Sequence, residues 1–574
     1  MMCSRRSAFS HPGETVLLAG LTVYWLFFLH IGWYSHGGWG TDLPMNLLAW
    51  CFMSVFCGGF WCFWRGKLML SGRTETVLLA GAALMTLPLL WSPSSAALDN
   101  ALPRLCGVWA GLVFWLTLRQ LRLSVRRQQW LLFCLMMAGG IETGVVLMEL
   151  FGPSHLLPAV WLEMTEKYRR YSVGVFQQVN VTASFLAMGL GAALLLLGQK
   201  AAVLSAVRME RIRRIILMAG IVLLSAVLTQ TYSRTGWLSG LLVTGGIYCL
   251  SRSRRFREEA HLQHLLWRLP LCGVVVGLLM MQMSVSQALA LHEGSNHQRL
   301  LTLYQTLRYA WQHPFTGYGA GSYEGSYQAW LAGLPGGNPG KEMMAHPHNE
   351  LLYQFSEGGI IALSGALLFY GLYIWRWIHL RTFWQAGVLL AMLPVLLHTQ
   401  LEYPLYYSVP HWLALLMLFR LSDGENSPQQ MWPGHRRWKT GFIKGSLVVL
   451  MVYGTLISFQ SFRAGAVLNL FESSQLKAPE RIAQLEVPWV LRQRYRQDLT
   501  QLRLIRFRTD PDWDSLRAYT RENALWLSVH AWPELYKNQI AVLKYLHEDE
   551  QAGIWLKRAK NTLPWQAELF EPEP

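Results

Sequence analysis

Apolar residues along this chain run in blocks of about 20, the length that carries a helix across roughly 30 Å of hydrocarbon. The blocks lie near residues 15–34, 45–64, 75–92, 104–118, 129–150, 178–198, 213–230, 236–250, 267–285, 350–375, 383–399, 406–421 and 441–460. Period-two alternation is absent, so the backbone must satisfy itself in lipid as helices rather than as a closed barrel. The pattern predicts an all-α polytopic membrane protein, a helical bundle of about 13 transmembrane helices. Two stretches outside the blocks are long and polar, 286–349 and 462–574. The expected division is N-terminal transmembrane helices over 1–285, a catalytic loop over 286–349, C-terminal transmembrane helices over 350–461 and a helical domain over 462–574. The last is charged and helical in period, as in Leu525-Trp526-Leu527-Ser528-Val529-His530-Ala531-Trp532. The turn-rich stretch from Pro335 to Gly340 reads as a mobile lid within the loop.

Charge gives the bundle a direction. Connections near 65–73, 119–127, 200–214, 252–257, 376–381 and 436–444 collect Lys and Arg, whereas 35–44, 92–103 and 400–407 hold almost none. The positive-inside rule then predicts a multi-pass protein of the bacterial inner membrane, with a cytoplasmic N-terminus. Thirteen spans leave the 286–349 loop and the C-terminus in the periplasm. The run Thr15–Tyr34 ends in large aromatics rather than small residues, so it reads as a retained first span, not a cleaved signal.

Composition agrees with this reading. Apolar residues make up 52% of the 574 and charged residues 15%, against about 25% charged in ordinary soluble domains. The formal charge of +16 follows from the cytoplasmic connections. No basic face stands on a soluble fold, so membrane lipids are expected partners and nucleic acid is not. The eight cysteines form no CxxC pair and avoid the polar loop and tail. Neither a disulfide framework nor a structural metal is expected, and no cofactor is called for.

Four polar clusters sit where spans meet the periplasmic side. The densest is Ala345-His346-Pro347-His348-Asn349-Glu350-Leu351-Leu352, followed by Ser356-Glu357-Gly358-Gly359. Such groups are costly at a membrane boundary unless paired or functional. The alternative is a capped helix start, with Asn349 or His348 meeting free N–H groups and Glu350 favouring the positive helix end. HxH occurs in metal sites, but no third ligand follows at helical spacing. Arginines form the second signal: Arg234 in Tyr232-Ser233-Arg234-Thr235-Gly236, and Arg299 and Arg308 on an amphipathic stretch. A guanidinium grips phosphate oxygens bidentately, while one arginine alone can simply snorkel to headgroups. The third cluster is Phe176-Gln177-Gln178-Val179-Asn180, preceded by Lys167, Arg169 and Arg170, which break the positive-inside pattern. Gln and Asn there read as sugar or phosphate clamps, or as satisfied helix starts. In the fourth, His398 to Tyr407, Glu402 with Tyr403 and His398 stands out, while Tyr406 and Tyr407 read as aromatic-belt residues.

The large loop ending in HxHNxxL, the following E-G-G and the SRTG turn resemble the O-antigen ligase/polymerase superfamily. Within it, Phe176-Gln177-Gln178-Val179-Asn180, the Glu402-Tyr403-Pro404-Leu405 turn and the sizeable tail are most similar to PglL-type bacterial O-linked protein oligosaccharyltransferases. The resemblance covers roughly residues 170 to 420. It implies a metal-independent GT-C-type glycosyltransferase that moves a glycan from an undecaprenyl diphosphate-linked oligosaccharide donor to a Ser/Thr hydroxyl of a periplasmic acceptor protein such as a pilin. It further implies His348 as the essential base or positioning residue, with His346 as fallback, and Arg234 and Arg299 or Arg308, with Arg170, on the diphosphate. Gln178, Asn180, Tyr403, Glu402 and Asn349 would contact glycan or acceptor. A lipid A-core O-antigen ligase or an O-antigen polymerase would share this face and differ in acceptor. A transporter or flippase would instead show polar groups in broken helices at mid-membrane.

Overall fold

The computed structural model describes residues 12–31, 40–66, 68–70, 72–153, 155, 173–281, 293–423, 430–431, 437–474 and 480–570. Among them a helix stands over each of the thirteen apolar segments: Pro12–Leu26, Pro44–Phe63, Arg73–Thr86, Ser95–Arg119, Val125–Phe151, Val179–Gly198, Val207–Gln230, Arg234–Arg252, Leu265–Met280, Glu350–Ile378, Phe383–His398, Val409–Leu421 and Arg437–Ser473. Nine helices among the described residues are long and apolar enough to cross a membrane, and Leu265–Met280, Phe383–His398 and Val409–Leu421 are shorter apolar helices. The chain is an all-α polytopic membrane protein. Its β-structure among the described residues is slight, an antiparallel pair of two-residue strands, Met69–Leu70 with Gln430–Met431.

The Val179–Gly198 helix is apolar on every side and buried from Val181 to Gly198, as a helix hydrophobic all round must be. It forms the axis of the bundle, packed by Val125–Phe151, Val207–Gln230, Arg234–Arg252 and Phe383–His398. Chain connections gather at two ends. At one, Lys200 N–H reaches the Glu259 carbonyl at 2.9 Å, and Asp423 collects Arg119 at 2.8 Å, Arg420 at 3.3 Å and Arg376. At the other, Glu350 N–H donates to the Thr399 carbonyl at 2.9 Å, and Asn46 donates to the Tyr407 carbonyl at 2.8 Å while accepting Val409 N–H at 2.8 Å.

This second end carries the loop helices Glu293–Ala310 and Tyr323–Ala332. They meet the membrane at a break in Glu350–Ile378. Gly359 there has φ 57° and ψ −152°, a conformation open essentially to glycine alone. The carbonyls freed by the break are taken from outside the helix: Ser356 accepts Tyr318 N–H at 3.0 Å, and Glu357 accepts Gly319 N–H at 2.8 Å. Ile360 N–H turns to the Pro314 carbonyl at 2.8 Å. The break therefore clamps the loop to the bundle.

In the tail, Trp513–Trp526, Pro533–Tyr545 and Asp549–Thr562 pack around Trp526, Leu535, Tyr536, Ile540, Ala559 and Phe570, and Arg492–Phe507 joins them through Leu504 and Phe507 against Leu516, Tyr519 and Val542. The tail docks on the loop. Gly325 lets the Tyr323–Ala332 helix approach so closely that a Cβ would overlap the Ser528 carbonyl. Asn338 lies at the centre of the stretch expected to be a lid. It is buried and donates to Gln328 at 2.8 Å and to the Thr562 carbonyl at 2.9 Å. In this structure the turn is held to the tail, and the Asn338 side chain finds three partners, Gly340 N–H at 2.9 Å being the third.

Candidate functional site

The loop-bearing end draws the sequence-identified clusters around one carboxylate. Glu402 lies in the turn after Phe383–His398 and is buried. Its Oε1 accepts Arg299 Nη2 at 2.6 Å and Asn180 Nδ2 at 2.6 Å. Its Oε2 accepts Gln178 Nε2 at 3.1 Å and pairs with His398 Nε2 at 3.0 Å. Burial alone would raise its pKa. The His398 bond and the charges of His398 and Arg299 prevail and hold it down at about 2, so it stays ionised.

Local folding explains how each partner arrives. Gln178 caps the Val179–Gly198 helix, its Oε1 accepting Val181 N–H at 2.6 Å, which leaves its amide N–H groups for Glu402. Ser233 caps Arg234–Arg252 through Gly236 N–H at 3.0 Å and donates to Asn180 Oδ1 at 2.6 Å. Arg234, in the first turn of that helix, feels the positive charge of Arg299. Gln178 and Asn180 thus stand as satisfied helix-start residues, with their amide N–H groups directed at Glu402.

The two residues before Phe176 are held by carboxylates. Glu142, buried in Val125–Phe151, accepts Val175 N–H at 2.9 Å, and Glu149 accepts Gly174 N–H at 3.0 Å. Beneath Glu402, His398 Nδ1 reaches Ser184 Oγ at 3.0 Å, and Ser184 meets His411 Nε2 at 3.2 Å. Ser184, His411 and these two glutamates escape a sequence reading because each sits singly inside an apolar block.

The histidines take different places. His348 adopts φ 57°, and its N–H donates to His346 Nδ1 at 3.0 Å. His346 is buried between the rings of Tyr353 at 4.4 Å and Tyr403 at 5.0 Å. Because its Nδ1 is an acceptor, its proton belongs on Nε2. His346 is therefore a support for the backbone of His348. The His348 ring is half-buried, 5.5 Å from Tyr403, and its Nδ1 is buried with no hydrogen-bond partner. Desolvation, outweighing Glu402, brings its pKa down to about 4, so the imidazole is neutral at ordinary pH. Burial likewise pushes Tyr403 up to about 12, keeping its hydroxyl protonated.

Other sequence-identified residues lie apart from this centre or are spent on structure. Arg308 is exposed, bonds Gln305 at 3.3 Å and faces Tyr304 and Trp330. Nine positions from Arg299 on one helix is two and a half turns, which puts the two on opposite faces, so of the two only Arg299 joins Glu402. Asn349 caps Glu350–Ile378 through Leu352 N–H at 3.0 Å and donates to Gln400 Oε1 at 3.1 Å. Tyr406 is no belt residue, since its hydroxyl donates to Glu350 at 2.6 Å. Arg170, with Lys167 and Arg169, lies outside the described residues. Arg104, in the third turn of Ser95–Arg119, pairs with Glu357 and lies 4.7 Å over the Tyr353 ring. Its one sequence signal was a lone cation at a span boundary. Among the described residues no three His, Cys, Asp or Glu side chains gather as a metal set.

Two polar surfaces thus meet at Tyr403, one holding Arg234, Arg299 and Glu402, the other Arg104 and Glu357. No curated protein matches the chain. Two family models do. One, described as O-antigen ligase, matches residues 219–367, and the other, described as virulence factor membrane-bound polymerase, C-terminal, matches residues 387–571. The first spans Arg234, Arg299 and His348, the second Glu402, Tyr403 and the tail, so each set of site residues lies in a segment similar to one of these families.

Proposed function

We propose that this protein transfers an oligosaccharide en bloc from undecaprenyl diphosphate to a Ser/Thr hydroxyl of a periplasmic protein such as a pilin, at the bacterial inner membrane. One observation carries the reading: a neutral imidazole, His348, with a buried nitrogen free, stands beside a cationic surface built from Arg299 and Arg234. The acceptor hydroxyl gives its hydrogen toward His348 as its oxygen attacks the anomeric carbon. The bond from that carbon to the diphosphate oxygen breaks, and the departing charge is met by the guanidiniums. Glu402 keeps Arg299 in place before the donor arrives, Gln178 and Asn180 brace Glu402, and Tyr403 walls the site. In this reading 286–349 and 462–574 are periplasmic, and 1–285 and 350–461 hold the two sets of spans.

The test is co-expression with a lipid-linked glycan pathway and a pilin acceptor, comparing wild type with His348→Asn. Asparagine tolerates a left-handed backbone, so loss of transfer reports the imidazole rather than backbone strain. Unmodified acceptor at wild-type membrane abundance is expected, and full modification by the variant would overturn the assignment. The descriptions of the matched models favour a second reading, ligation to lipid A-core or polymerisation of O-antigen. Modified lipid A-core, or lengthened glycan, with unmodified pilin would select it. Cysteine labelling at Gly337 that required a membrane-permeant reagent would place the loop in the cytoplasm and end both.

A further inference from the structure

A cavity of about 90 Å³ is lined by His346 and Tyr403, and by Val490 and Gln493 of the tail. Two buried donors of its lining residues make no hydrogen bond, Arg104 Nε and His346 Nε2, the latter having the Glu350 carboxylate only at 3.9 Å. Such orphans are uncommon in folded proteins and point to a missing oxygen. Tyr353 and Tyr406 line the same space, and aromatic side chains are common in sites that hold small ligands. Asn100 and Gln493 supply amides at its rim. Gln493 is joined to Glu324 through His530, at 2.7 Å and 2.8 Å, so the rim is held by the docked tail.

Charge decides the class of ligand. Asp42, Glu324 and Glu357 face the cavity against the single cation Arg104, which disfavours phosphate or a uronic acid and leaves a neutral group. Size decides how much enters. About 90 Å³ is room for a few waters or one edge of a pyranose. We propose that the cavity binds the hydroxyl-bearing edge of a neutral sugar unit, with Arg104 and His346 donating to its oxygens. This rests on the glycan-transfer reading and adds a subsite separate from the one at Arg299. The sugar can come from the donor glycan or from a sugar-bearing acceptor.

Ligand-observed NMR on the full-length protein in detergent tests this without turnover. Saturation transfer is expected to methyl galactoside or methyl N-acetylglucosaminide and not to methyl glucuronide. Both Asn100→Ala and Gln493→Ala should weaken it about tenfold, the loss of one or two hydrogen bonds. No transfer to any neutral glycoside, equal transfer to the glucuronide, or unchanged binding in both variants overturns the proposal. In the transfer assay, a tenfold rise in KM for the lipid-linked donor identifies the donor sugar as occupant, and a rise in KM for the acceptor identifies the acceptor. No change in either at retained turnover overturns it as well. Sugar-free undecaprenyl diphosphate is the independent probe of the functional reading. If wild type fails to bind it, that reading falls, while the glycoside result still judges the cavity.

Discussion

His348 holds a left-handed backbone, which costs a residue with a Cβ roughly 1–2 kcal/mol. The strain is retained because His346 fixes the His348 N–H and two tyrosines fix His346. A depressed imidazole pKa has a definite consequence for rate. The free protein needs neutral His348, so kcat/KM should be flat through neutrality and fall as pH drops through about 4. The midpoint for kcat should lie higher, since a bound diphosphate brings negative charge that favours imidazolium. A kcat/KM midpoint at or above 6.5 in wild type would place the essential group elsewhere. The two arginines on the loop helix separate in the same assay. Arg299→Lys exchanges a planar fork for a point charge at Glu402 and should lower kcat/KM by at least about tenfold. Arg308→Lys should leave it unchanged, because that side chain faces away from Glu402. Equal effects of the two would remove Arg299 from the donor site.

The Glu350–Ile378 helix shows what an element needs beyond apolarity. Its break at Gly359 feeds three backbone hydrogen bonds into the loop, and a Cβ there would overlap the Phe315 carbonyl. Gly359→Ala should lower the thermal stability of the full chain in detergent by more than about 1 kcal/mol. Gly371→Ala, where nothing lies within 4 Å, should be neutral or slightly stabilising. Matching melting curves for the two would show that the break is incidental. This contrast marks how far the sequence reaches. Helix after helix is legible because hydrophobic length is a local property, and all thirteen segments are helical. The break is not, because a glycine at positive φ reads like any other inside an apolar block. The site divides in the same way. His348, Arg234, Arg299, Gln178 and Glu402 announce themselves as polar groups at span boundaries. That Glu402 is the common partner of Arg299, Asn180 and Gln178 depends on contacts more than a hundred residues apart along the chain, which no local pattern encodes. Arg104 and Glu357 are 253 positions apart and were invisible as a pair for the same reason.

At the scale of the whole molecule, loop, tail and bundle form a closed circuit: Gly359 ties loop to bundle, Asn338 and Glu324 tie loop to tail, and Asp99 ties tail back to bundle through Arg496 at 2.8 Å. The links differ in strength by physical setting. Arg496 is half-exposed, and such pairs contribute about 0–1 kcal/mol, so Asp99→Ala should leave the tail in place. Glu324 is buried and accepts His530 Nδ1–H at 2.8 Å and Ala531 N–H at 3.2 Å. Removing it strands two buried donors at about 1–3 kcal/mol each. Glu324→Ala should therefore loosen the tail, seen as faster proteolysis within 475–530 while the spans stay intact. Transfer activity should fall in parallel, because the segment leading from Asn338 to His346 and His348 is held at its start by the same tail. Activity that survives full release of the tail would mean that the bundle alone positions His348, and that the tail serves the acceptor rather than the catalytic loop.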